Sequence, residues 1–111
     1  MPRLPVALAT GALLLATAAC GDARLKDLTV GIDRDSLAVV MQTDAPHRSE
    51  SYLLEGKFWE VFYYAEPGTD PADSIAWREL SPVVVTDGTV AGWGWKYWGP
   101  EAERLQVQLP E

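Results

Sequence analysis

The 111-residue chain has one cysteine, Cys20, and one histidine, His47. With a single cysteine no disulfide can form within the chain, so a folded domain must be held by apolar packing alone. His47 lies in the polar run Pro46-His47-Arg48 and reads as a loop or surface residue. Imidazole-based metal sites and Ser/His nucleophile arrangements therefore lack their parts. Cations are also scarce, nine Lys and Arg against sixteen Asp and Glu. A phosphate-binding surface needs clustered cations, so neither nucleic acid nor an anionic headgroup surface is an expected partner. Glu66, Asp70 and Asp73 concentrate carboxylates in one stretch, but without the glycine-spaced ligand loop of a calcium site, and the stretch reads as a solvated loop. No carboxylate pair is singled out for acid-base work. The expectation is a chain with no catalytic residues, no metal and no cofactor.

Long hydrophobic runs are missing after residue 20, which gives the one run before it more meaning. Met1-Pro2-Arg3 is followed by an uncharged apolar stretch from Leu4 to Ala19, ending Leu15-Ala16-Thr17-Ala18-Ala19-Cys20-Gly21. That is the layout of a secretory signal peptide: too short to span a membrane comfortably, with small residues before the cut. With a cysteine directly after the small residues, it resembles a bacterial lipoprotein signal with its lipobox, although Thr17 stands where leucine is more usual. The resemblance implies cleavage before Cys20 and acylation of that cysteine, palmitate included, as the covalent membrane anchor. Gly21 follows the cysteine and Asp22 comes one later, which favours the outer membrane, facing the periplasm, over inner-membrane retention.

Residues 1–20 are thus assigned as the signal, 21–27 as a tether, and 28–111 as one small domain with a C-terminal tail that is either an added strand or disordered. Removal of the leader leaves 91 residues and, with Arg3 gone, takes the formal charge from −7 to −8. A domain this small needs large rings to make its core. Asp33-Arg34-Asp35-Ser36-Leu37 reads as a helix start, with Asp33 as cap and Ile32 and Leu37 spaced for a hydrophobic staple. Leu37, Val40 and Met41 continue one apolar stripe to about Gln42; a strand over Leu37–Met41 is the alternative.

Three strands are expected: Lys57 to Ala65, entered through the Glu55-Gly56 turn; Leu80 to Thr86; and Thr89 to about Tyr97. Asp87-Gly88 predicts a two-residue type I′ hairpin. From that turn, regular alternation puts Val83, Val85, Val90 and Gly92 on one face, open to the helix. It puts Val84, Ala91, Trp93, Trp95 and Tyr97 on the other. The fold class is therefore α+β, a short helical layer on a three-stranded antiparallel sheet.

Several segments together carry a family resemblance. These are Gly31-Ile32-Asp33-Arg34-Asp35-Ser36-Leu37, Pro46-His47-Arg48-Ser49-Glu50-Ser51-Tyr52, Glu60-Val61-Phe62-Tyr63-Tyr64, and Pro82 through Gly94. In their order after a lipobox they resemble the small outer-membrane lipoproteins of SmpA/OmlA (BamE) type, over about residues 28–95. Gln42-Thr43-Asp44-Ala45-Pro46 departs from the family's Gly-x-Pro turn, and one helix is legible where better known members have two. The resemblance implies the layered fold and a scaffolding role in envelope assembly, with no catalytic residues.

On this reading Phe62, Tyr64, Trp93 and Trp95 form an aromatic contact set for a protein partner in the envelope, such as the barrel-assembly machinery. The alternative use of the same rings is stacking on cell-wall glycan. A further alternative, inhibition of a secreted enzyme, rests on fold analogy. The opposite expectation for these rings is a second small core beneath the tail or the 66–79 loop, which carries Trp77.

Overall fold

The computed structural model describes residues 22–110; the leader and Cys20 lie outside the described residues. The class is α+β. Four strands form one antiparallel sheet in chain order: β1 (Arg48–Leu54), β2 (Lys57–Tyr64), β3 (Ser81–Thr86) and β4 (Thr89–Trp93). One more strand is present than expected, and it is β1. Glu55 and Gly56 both have positive φ, 55° and 75°, and make a two-residue turn that pairs Leu54 with Lys57. Such a turn needs a strand on each side. The polar sequence Arg48-Ser49-Glu50-Ser51 hides this strand from a hydrophobicity-based reading, because only one of its faces meets the core.

The Asp87-Gly88 turn is as expected, with φ 48° and 89°, and Thr86 pairs with Thr89 and Val85 with Val90. There the expected register ends. A β-bulge follows, so Val84 pairs with Gly92 and Val83 with Trp93, one residue out of step. The single extra residue exchanges the faces of everything after it. Gly92 moves to the aromatic face, where an added Cβ would sit 2.7 Å from the Tyr97 ring. Trp93 moves to the aliphatic face.

The third strand also stops earlier than expected. Gly94, at φ 83°, turns the chain into a helix, α2 (Trp95–Arg104), after a one-turn α1 (Leu37–Val40) earlier in the chain. Trp95, Trp98, Ala102 and Leu105 recur at helical spacing, and the last three are buried. Gly99 and Pro100 are poor helix formers, but the burial of that stripe outweighs their cost. The helix ends in a Schellman motif: Val107 N donates to Ala102 O at 2.8 Å, Gln106 N to Glu103 O at 3.1 Å, and Gln106 takes φ 61°.

The sheet is thereby covered on both faces. On the first, Leu28, Leu37 and Met41 pack on Val83, Val85 and Val90, as the aliphatic pattern predicts. Leu37 and Met41 are fully buried, roughly 2 kcal/mol each, and a one-turn helix would not persist without them. Asp33 makes no side-chain cap bond, contrary to expectation; its backbone instead bridges to Thr89. On the second face Trp59, Val61, Tyr63, Leu80 and Val84 lie beneath Trp98, Ala102 and Leu105, with Trp77, Val107 and Leu109 around them.

Residues 22–27, expected as a tether, are folded. Asp22 starts a 3-10 helix, Ala23–Asp27, and its carboxylate accepts from the Arg24 backbone N–H at 2.9 Å. The same carboxylate is ion-paired with the Arg24 guanidinium, which donates onward to the carbonyls of Met41 and Ala65. The segment is thereby fixed to α1 and to the end of β2.

Candidate functional site

The four rings selected from sequence do not form one surface. Tyr64 is buried at 4 % exposure in the aliphatic-face core. Phe62 and Trp93 are half-buried on that same face, with the Arg34 guanidinium 5.4 Å from the Phe62 ring and Arg34 paired to Glu60 at 3.0 Å. Trp95 lies on the opposite face, its indole N–H donating to Leu80 O at 2.8 Å and its ring covered by Arg78 at 4.4 Å. The bulge at Val84/Val85 puts Trp93 and Trp95 against opposite faces of the sheet, although both border a groove at its end, and α2 occupies the face that a continuing strand would have left open.

The aromatic face is a core beneath α2 and the tail, with Trp77 in it. Trp98 is fully buried and donates to the Tyr63 hydroxyl at 2.9 Å; Trp77 meets the Tyr63 ring edge-on at 4.5 Å. Burial pushes the Tyr63 phenol up to about 12, with the Trp98 bond acting the other way, and burial likewise holds Tyr64 at about 12. Both are hydrogen-bonding or packing groups and stay protonated across the physiological range.

His47 is half-buried, with Nε2 2.9 Å from the Asp73 carbonyl. Asp70 accepts from the Ala72 N–H at 2.9 Å, and Asp73 N donates to the Asp70 carbonyl, a self-contained acidic turn. Among the described residues no three of His, Cys, Asp and Glu come together as a metal-ligand group.

What the structure leaves available is an edge. The β4 edge is closed: Gly31 N donates to Val90 O at 2.8 Å, Val90 N to Ile32 O at 2.9 Å, and Arg34 N to Gly88 O at 2.9 Å. Gly31 and Ile32 thus act as a partial fifth strand there. Among the described residues the β1 edge has no such backbone cover; at its start Arg48 lies over Trp77 at 4.8 Å.

Leu54 and Lys57 flank a two-residue turn and so exchange ladder bonds with each other. The alternation then aims the backbone groups of Ser49, Ser51 and Leu53 outward. Beside this edge, Leu53 is 80 % exposed and its cross-strand partner Phe58 42 %, an apolar corner that α1 does not reach. Sequence reasoning missed the site because it missed β1. The Glu55-Gly56 turn it did identify implied a strand before as well as after. No family model matches the chain, and neither a curated protein nor a solved structure matches it.

Proposed function

We propose that the chain is a lipid-anchored envelope protein of BamE-like architecture that binds another protein through the open β1 edge and does no chemistry of its own. Cys20 is the acylated anchor, and the outer membrane, with the domain facing the periplasm, is the proposed location. The observation that carries the binding role is the asymmetry of the sheet: one edge closed by the chain's own backbone, the other a seven-residue strand with outward-facing N–H and C=O groups beside exposed Leu53 and Phe58. An unpaired edge of this kind is a template for strand addition, with the flanking apolar side chains supplying selectivity. A flat platform of stacked rings, which glycan binding requires, has less support, since Tyr64 and Trp98 are buried and Trp95 is capped by Arg78.

The test is a detergent pull-down of the native lipoprotein from its own envelope, in parallel with Ser51→Pro. Ser51 turns its N–H outward, so proline there removes no ladder bond to β2 while blocking strand addition. The expected result is a stoichiometric envelope protein recovered with the wild type and absent from the variant. Equal recovery with folded Ser51→Pro would overturn the edge as the binding surface.

A further inference from the structure

A groove of about 550 Å³ opens beside Asp22, at the end of the sheet where β2 ends, β3 begins and β4 runs into α2. Its walls carry Trp93, Trp95 and Pro82, and its rim Lys26, Arg78 and Lys96, with Glu66 and Glu79 among them. The charges have an unusual disposition. Arg24, Arg34 and Arg104 are ion-paired, leaving Lys26, Arg48, Lys57, Arg78 and Lys96 as the cations without a carboxylate partner among the described residues. Three of those five line this one groove. The chain's net negative charge therefore says little about this end of the molecule.

Chain length locates the groove further. Only two peptide units separate Cys20 from Asp22, which confines the Cys20 Cα, the attachment point of the proposed acyl group, to within about 7 Å of the Asp22 Cα. Asp22 itself is fixed by Arg24, so the proposed anchor attaches within that short distance of a fixed point of the domain.

Resting on the proposed acylation of Cys20, we infer that this groove sits on the phospholipid surface that holds the anchor, taking headgroups that carry both a phosphate and an ammonium. The phosphate meets Lys26, Arg78 and Lys96, and the ammonium meets Glu66 and Glu79. Trp93 and Trp95 lie at headgroup level, where the amphipathic indole is favoured. The lipid on Cys20 makes the contact effectively intramolecular, so weak headgroup contacts suffice to orient the domain.

The test uses the full lipoprotein purified from membranes and placed in vesicles of phosphatidylethanolamine and phosphatidylcholine, doped with headgroup spin-labelled phosphatidylcholine. Quenching of tryptophan emission is expected, reduced in Trp93→Phe and lost in the double variant Lys26→Gln, Lys96→Gln. Both lysines are exposed, so the double variant keeps the fold, checked by its circular dichroism. An acylated, vesicle-bound chain without quenching, or with equal quenching in the double variant, overturns the inference and leaves the anchor intact. Quenching only when phosphatidylglycerol replaces phosphatidylethanolamine also overturns it, since the mixed-charge match would then be wrong. Mass spectrometry showing Cys20 without an acyl group overturns the inference and the proposed anchoring together.

Discussion

Strands β1 and β4 are the two edges of one sheet, and the chain treats them in opposite ways. At β4 the outward N–H of Val90 is taken by Ile32 and its carbonyl by Gly31. At β1 the equivalent outward groups of Ser49, Ser51 and Leu53 meet no strand among the described residues. Small domains commonly blunt edges with charge, proline or cover. Here cover goes to the edge nearest the N-terminus, and the far edge keeps only Arg48 and Glu50 as charged residues.

Four substitutions break or sharpen this contrast, in decreasing order of effect. Arg24→Ala removes the partner of a buried carboxylate, and loss of one member of such a pair costs about 3–5 kcal/mol. Urea unfolding of the variant is expected to show that loss, together with early exchange of the Val90 amide as the closed edge opens.

The same pair sets a pH dependence. Burial alone would raise the Asp22 carboxyl, but the side-chain and backbone bonds from Arg24 together outweigh it and hold the group below its ordinary value of 3.8. A depressed carboxylate contributes stability that is complete above 3.8 and is lost as pH falls through the folded value. Acid titration of the urea midpoint should show this loss in the wild type. In Arg24→Ala the uncompensated carboxylate should instead weaken the fold at neutral pH, reversing the sign.

Val90→Pro strikes the closed edge directly. It strands the Ile32 carbonyl and removes a buried side chain, for a loss of about 3 kcal/mol in thermal or urea unfolding. Gly92→Ala, beside the bulge, forces the Tyr97 ring to move and is expected to cost about 1–3 kcal/mol. Ser51→Pro, at the matching outward position of the open edge, is expected to cost about 1 kcal/mol or less while abolishing partner recovery. A cost for Ser51→Pro as large as for Val90→Pro would mean that the two edges are not different after all.

The readable parts of the fold are those governed by neighbours in sequence. Asp87-Gly88 made its turn, Leu37 and Met41 faced Val83, Val85 and Val90, and Lys57–Tyr64 formed a strand. The misread parts each depended on a distant contact. Trp93, Trp95 and Tyr97 alternate as a strand should, and a single bulged residue together with Gly94 turned that alternation into two faces and a helix start. The candidate site was the least legible, because β1 has a weak apolar pattern and its openness is a property of what does not pack on it.

The amino-acid sequence alone was enough to exclude an intrachain disulfide and to indicate the α+β class, the tight turns, and the aliphatic face with its helical cover. These follow from composition, φ requirements and short-range periodicity. Only the tertiary structure decided that Asp22 and Arg24 fasten the start of the domain, that the aromatic rings turn inward beneath Trp95–Arg104, and that one edge of the sheet closes while the other stays open. The physical reason is that burial and hydrogen-bond closure are set between segments far apart in the chain, where one extra residue in a ladder reassigns every side chain after it.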